Sequence, residues 1–147
     1  MDSSEYVIIL ADDDEDDLLL LSLVFKNMRS GYPVQTVKNG RELLDYLNDL
    51  NSLEGKSIPK KPGLVFLDIN MPVMNGIEAL RVIRKHAHYS RLPVVMLSTT
   101  KDQTTIDTCY DIGAVGYITK DFDLSRLEEQ LDIAIKYWFY AVHHPIH

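Results

Sequence analysis

From Tyr6 onward the chain alternates two apolar patterns. Residues 6–11 form a short run that is apolar on both faces of an extended chain and stops at the acids of 12–17, which predicts a buried strand ending at a charged loop. Between 16 and 28, Leu20, Leu23, Val24 and Phe25 recur at helical spacing, and Gly31 and Pro33 close the segment. A short strand at 34–37 leads through Asn39-Gly40 into a second helix with Leu43, Leu44 and Leu47 on one stripe. Residues 51–62, carrying Gly55, Pro59, Lys60, Lys61 and Pro62, predict a polar loop. The same reading gives strands at 63–67, 93–97 and 114–119. It places helices at 76–86, with Ile77, Leu80 and Ile83 inward, at 102–112 and at 123–140.

Five strand–helix repeats predict an α/β fold, (βα)5, in which a five-stranded parallel sheet is doubly wound, covered on both faces through right-handed crossovers. Open sheets of this kind gather polar groups beyond the carboxyl ends of their strands. The chemically distinctive residues fall at those ends: Asp12 and Asp13 after the first strand, Asp68 after the third, Ser98 and Thr99 after the fourth, and Lys120 after the fifth. Burying a core does not require that convergence.

Three carboxylates crowded into a partly buried site repel one another unless a cation joins them. Magnesium suits the place, because it takes oxygen ligands, keeps several waters and is held by one or two carboxylates plus phosphate oxygens. Asp13 and Asp68 are expected as direct ligands, Asp12 through a bound water, and Asn70 through its backbone carbonyl. Lys120 adds an ammonium, and Ser98 a hydroxyl. With the metal they would neutralise three phosphoryl oxygens, the main demand that phosphoryl transfer makes on a protein. Asp68 is the natural nucleophile, since a carboxylate forms an acyl phosphate.

Bulk properties narrow the class. A length of 147 residues, 46% apolar and 25% charged, suits one soluble domain, read as 1–147 with its core at about 6–140. The net charge of −7 argues against a nucleic-acid footprint, and the small basic clusters Lys60-Lys61 and Arg81 with Arg84-Lys85 read as solvated surface. A single cysteine, Cys109, excludes an intrachain disulfide and points to a reducing, cytoplasmic setting. Neither a secretion signal nor an apolar stretch of about 18 residues is present, so no membrane partner is expected.

The acidic pair Asp12-Asp13, the run from Leu67 and Asp68 through Asn70, Met71, Pro72 and Asn75 to Gly76, Ser98, and Gly116-Tyr117-Ile118-Thr119-Lys120 resemble the receiver domain of two-component response regulators. The likeness is to single-domain receivers of the chemotaxis type. The loop before the third strand and the aromatic end Tyr137-Trp138-Phe139-Tyr140 are similar to receivers serving phytochrome-type kinases. The resemblance implies a flavodoxin-like strand order 2-1-3-4-5 and phosphotransfer to Asp68 from the phosphohistidine of a sensor histidine kinase or a phosphotransfer protein. It implies that Ser98, with Thr99, turns toward the phosphoryl group while Tyr117 moves inward. The face formed by the fourth helix, fifth strand and fifth helix then changes. It also implies that Asn70 and Thr100 flank the water that ends the signal. The chain is then a phosphoacceptor that assists its own phosphorylation and dephosphorylation, not an enzyme with a separate substrate. One departure concerns the lysine, which the family usually follows with proline, often cis. Here Asp121 follows, and because a non-proline cis bond costs about 2.5–4 kcal/mol, a reshaped trans loop or stored strain is expected.

Plainer readings compete. Asp14, Asp16 and Asp17 read as helix caps and dipole partners. Ser98 alone could be a cap and Tyr117 an ordinary aromatic, while His86, His88, His143 and His144 read as solvated. Trp138, Phe139 and Tyr140 could cap the domain's own core or, with the fourth-helix to fifth-helix face, form a homodimer surface. A haloacid-dehalogenase-like phosphatase would need an acid two residues after its nucleophile, where this chain has Asn70. A transcription factor would need a DNA-binding domain, for which the seven residues after Tyr140 leave no room, so no output domain is expected. A degenerate receiver, binding proteins without being phosphorylated, is the alternative that Asp121 favours.

Overall fold

The computed structural model describes residues 5–52, 60–120 and 123–146; Asp121 and residues 53–59 of the expected polar loop lie outside the described residues. Among the described residues, five strands, β1 (Tyr6–Ala11), β2 (Val34–Val37), β3 (Lys61–Leu67), β4 (Val94–Ser98) and β5 (Gly116–Thr119), alternate with five helices. These are α1 (Glu15–Met28), α2 (Gly40–Ser52), α3 (Gly76–Arg84), α4 (Gln103–Ile112) and α5 (Leu124–Lys136), and a single π-helical turn, Tyr137–Ala141, prolongs the last. All strand pairs are parallel, in the order β2-β1-β3-β4-β5.

Because strand side chains alternate between faces, the sheet separates two cores. Val7, Ile9, Ala11, Val65, Leu67 and Met96 pack with Leu43, Leu47, Leu80, Ile83 and Cys109 of α2, α3 and α4. Ile8, Leu10, Leu64, Phe66, Val95 and Leu97 pack on the other side with Leu18, Leu21, Val24 and Phe25 of α1 and Leu127, Leu131 and Ile135 of α5. The buried stripe of α1 therefore differs from the expected one: Leu20 and Leu23 are exposed, and Leu18 and Leu21 take their place. Residues 18–21 are all leucine, so the pattern left the helix's rotational phase undetermined; the helix starts at its N-cap Asp14, which accepts from the amides of Asp16 and Asp17. No helix among the described residues is long and apolar enough to cross a membrane.

The third strand begins two residues earlier than expected. Lys61 and Pro62 pair with Tyr6 and Val7, and the register then slips between Val7 and Ile8. Pro62 is tolerated there because it opens the strand beside an irregularity, before β4 pairs along the other edge at Val65. The slip leaves the Gly63 carbonyl available, and His144 uses it: its Nε2 lies 2.6 Å from that oxygen, while Nδ1 lies 3.0 Å from the Ile146 amide nitrogen. The ring is buried, stacked on Phe139 and tilted against Tyr6, whose hydroxyl donates to the Ile146 carbonyl at 2.6 Å. His144 is thus a core histidine rather than a solvated one. Phe139 is buried and Trp138 partly so, whereas Tyr137 and Tyr140 face solvent, so the aromatic end divides between the core and the surface.

At the same end of the sheet, Arg84 anchors the turns that feed β4 and β5. Its Nε and Nη2 donate to the Gly113 carbonyl at 2.9 and 2.7 Å, and Nη1 donates to the Leu92 carbonyl at 2.7 Å. The planar guanidinium serves several acceptors in fixed geometry, which a lysine could not do.

Candidate functional site

Strand register delivers the site residues. Ala11 pairs with Leu67, so Asp12 and Asp68 each stand one residue past a matched pair, and the Asp68 amide donates to the Ala11 carbonyl at 2.9 Å. Ser98 pairs with Thr119, and the Lys120 amide donates to the Ser98 carbonyl at 2.8 Å. The carboxyl ends of β1, β3, β4 and β5 thereby bring Asp12, Asp68, Ser98 and Lys120 together. The loop from Asp68 into α3 is closed by a capping box: Asn75 accepts from the Glu78 amide, and the Glu78 side chain accepts from the Asn75 amide. A second tie, from the Gly40 amide to the Met74 carbonyl at 2.8 Å, fastens that loop to α2. Within the loop, Val73 has φ 67°, a left-handed backbone uncommon for a β-branched residue, and points into solvent.

Asp12 and Ser98 are fully buried and Asp68 is nearly so, whereas Asp13, Asn70 and Thr99 are exposed at the rim. The Lys120 ammonium lies 2.5 Å from Asp12 Oδ2, 3.0 Å from Asp17 Oδ2 and 3.2 Å from Asp68 Oδ2. Asp68 Oδ1 accepts from the Ile69 amide at 2.8 Å, which fixes the carboxylate plane. Asp12 Oδ1 accepts from the Asp14 amide at 3.0 Å. Ser98 Oγ accepts from the Thr100 amide at 3.3 Å, and the Tyr117 hydroxyl donates to the Thr100 carbonyl at 2.7 Å. Thr100 therefore ties Ser98 to Tyr117, and Ser98 is a buried strand-end residue rather than a helix cap; Asp102 is the N-cap of α4.

Burial pushes the Asp68 carboxyl above the usual carboxylate range; Lys120 draws it back, and the charge of Asp12 raises it further. Burial alone would lower Lys120, but its hydrogen bond to Asp12, the charge of Asp68 and its hydrogen bond to Asp17 outweigh that, and it stands above the ordinary lysine value. The ammonium is therefore charged at neutral pH. One oxygen from each of Asp12, Asp13 and Asp68 lies within 4.8 Å of the others, a separation that a single hard cation can bridge. The donor set is all oxygen, as magnesium or manganese prefers.

Of the strand-end residues read from the sequence, Asp12, Asp13, Asp68 and Lys120 come together through their side chains, and Ser98 adjoins Lys120 through its backbone carbonyl, with Thr99 at the rim. The residue the sequence reading missed is Asp17, assigned there to capping. It lies on the helical row that continues through Leu21 and Val24, both buried, and that row was the available signal.

This arrangement of acids, hydroxyl and lysine on a 2-1-3-4-5 sheet defines a receiver, and the chain belongs to the response regulator receiver domain family, whose pattern matches residues 8–132. Among solved structures it is similar to the phosphorylated cyanobacterial phytochrome response regulator RcpA (30% identity, TM-score 0.80), covering 96% of this chain and 99% of that one. It is also similar to the Mn2+-bound form of response regulator Rcp1 (26% identity, TM-score 0.77, covering 95% and 99%). By sequence, Rcp1 of Synechocystis sp. is 26% identical over 126 residues, 86% of this chain and 84% of that protein. The transcriptional regulatory protein SphR of Synechococcus elongatus is 32% identical over 99 residues, which are 67% of this chain but 37% of SphR. The chain spans about a quarter to two fifths of the length of the first curated relatives it matches.

Proposed function

We propose that this chain is a single-domain phosphorylation switch, 1–147 with a core at about 6–140, in which Asp68 accepts a phosphoryl group from the phosphohistidine of a sensor histidine kinase or a phosphotransfer protein. The observation that carries this reading is the ammonium of Lys120 3.2 Å from a buried, hydrogen-bonded Asp68 carboxylate at the carboxyl edge of the sheet. The Asp68 oxygen attacks phosphorus, the P–N bond breaks, and the imidazole leaves with its electron pair. Lys120 and the hydroxyls of Ser98 and Thr99 take up charge on the transferred phosphoryl oxygens. Asp13, Asp68 and the Asn70 carbonyl would hold Mg2+ directly, with Asp12 acting through water; the ion would supply neutralisation of the crowded carboxylates and phosphoryl oxygens. The Mn2+ seen with Rcp1 supports a divalent ion here. Asn70 and Thr100 would flank the phosphoryl group and tune dephosphorylation. The chain acts as a phosphoacceptor in the cytoplasm rather than on a separate substrate, and a serving kinase of phytochrome type fits its likeness to RcpA.

Output is assigned to the face of α4, β5 and α5. Tyr110, Val115, Ile133 and Tyr137 are exposed there, and the buried Gln130 Oε1 has no hydrogen-bond partner among the described residues. A homodimer through this face and the aromatic end would cover the exposed apolar side chains. Intact-protein mass tests the central reading. With acetyl phosphate and Mg2+ the chain should gain one phosphoryl group, and with the ion chelated it should not. No gain with any small donor would transfer the assignment to an unphosphorylated binding module.

The Ser98–Thr100–Tyr117 connection predicts a separation of chemistry from response. Ser98→Ala should still be labelled by acetyl phosphate, yet the Tyr117 ring resonances should stay at their resting shifts after labelling. A normal shift of Tyr117 in the variant would place the switch elsewhere.

A further inference from the structure

Lys120 is followed by Asp121 where receivers usually carry proline, so the sequence does not supply a proline ring as the constraint that would aim the ammonium. The structure shows another constraint, coming from a different element. An ammonium has three N–H donors, and each faces a carboxylate: Asp12 at the end of β1, Asp68 at the end of β3, and Asp17 from the first turns of α1. These anchors differ in one respect. Asp68 is the group that reacts, so once phosphorylated it no longer offers the same carboxylate. Asp12 and Asp17 are not altered by that reaction, and they grip the ammonium from two sides, one wholly buried and the other at the rim. Asp17 is itself fixed, because its amide donates to the Asp14 cap at 3.2 Å and its helix is packed through Leu18 and Leu21.

We propose that Asp17 is a positioning residue for phosphoryl binding: it holds the Lys120 ammonium over Asp68 from α1, in place of the proline that this chain lacks. The proposal rests on the phosphoacceptor reading of Asp68 and adds to it the means by which the lysine is aimed. Two effects of Asp17 oppose each other. Its negative charge repels an incoming phosphoryl group, and its grip on Lys120 attracts one. Which dominates depends on whether Lys120 is present, and that dependence makes the proposal testable.

Asp17→Asn keeps the size of the side chain and removes the charge. The first arm does not involve phosphorylation: the acylation rate of Lys120 by an amine-reactive ester, read by peptide mass spectrometry against exposed Lys101 as an internal reference, should rise several-fold in Asp17→Asn and return toward wild type in Asp17→Glu. The second arm measures binding of beryllofluoride with Mg2+ in a double-mutant cycle. Asp17→Asn should weaken binding about 3- to 10-fold when Lys120 is present. In a Lys120→Ala background it should have no effect or tighten binding, since only the repulsion remains. Unchanged Lys120 acylation, or the same change in affinity in both backgrounds, would overturn the positioning role while leaving Asp68 as phosphoacceptor. Faster acylation in a wild-type-like protein that never binds beryllofluoride would overturn the phosphoacceptor reading and the proposal with it.

Discussion

Asp68→Asn should keep the fold and lose all labelling by acetyl phosphate, while its metal-free form should melt at a higher temperature than the wild type at neutral pH. Both outcomes come from one carboxylate. Removing the nucleophilic oxygen leaves no atom that can form the acyl phosphate. Its effect on stability follows from its raised pKa. In the folded chain Asp68 holds its proton more tightly than in the unfolded chain, so the folded state binds more protons between the ordinary carboxylate value and the raised one, and stability falls as pH rises through that window. Above the window the wild type carries the whole penalty and the asparagine variant carries none. The difference should appear as about 2–4 °C in Tm for each kcal/mol relieved. It should vanish on acidification below about pH 4, where the carboxyl is protonated in both states, and it should shrink when Mg2+ is added. Mass spectrometry and thermal melts across pH check both halves. Full labelling of the variant would remove Asp68 from the chemistry.

The other large effect is expected at Gly76→Ala. A methyl carbon built there lies 2.9 Å from the Asp68 carbonyl carbon, 3.0 Å from the Ile69 Cα and closer still to the Asp68 carbonyl oxygen. Each of these is backbone and cannot swing away. Alanine is the better helix former by about 1 kcal/mol, but overpacking against a rigid neighbour costs about 1–3 kcal/mol, at the upper end when no side chain can give. The clash should therefore prevail, with a net loss of about 2 kcal/mol and a fall in Tm of roughly 4–8 °C. Because the carbonyl that is displaced belongs to Asp68 itself, labelling by acetyl phosphate should slow as well. Gly116→Ala is the control: its added carbon would meet Val95 at 3.5 Å, an ordinary contact, and both Tm and labelling should stay near wild type. Equal behaviour of the two variants would show that the approach of α3 to the phosphoacceptor is looser than the structure indicates.

What could be read from the sequence depended on whether a feature was local. Strands such as Val94–Ser98 announce themselves as apolar runs, and a run that stops at Asp12 or Asp68 marks its own end. The order of the strands and the convergence of Asp12, Asp68, Ser98 and Lys120 then follow from the rule for open parallel sheets together with the family's motifs. Four features were harder to read. The facing of α1 was hidden because residues 18–21 are identical, so periodicity had no phase. The roles of Asp17 and His144 depend on partners 103 and 81 residues away, Lys120 and Gly63, and neither spacing leaves a pattern in the chain. Pro62 read as a loop because proline usually ends pairing; only the register slip beside it explains its place in β3.

The molecule is braced unevenly. Arg84 and His144 tie carbonyls at the amino ends of the strands, and the Tyr6 hydroxyl adds a further bond there. At the opposite edge the loops carry exposed Asp13, Asn70, Val73 and Thr99 and are held by the ion pairs of Lys120 together with single hydrogen bonds such as that from the Gly40 amide to the Met74 carbonyl. One end of the sheet thus serves as a clamped base and the other as a free rim. Under the proposed switch, small rearrangements at the rim would pass across β5 without loosening the base, much as a tuning fork moves at its tines while its stem stays gripped. Amide exchange should accordingly be slowest around the starts of β1, β3 and β4 and fastest in the loops that would surround a phosphoryl group.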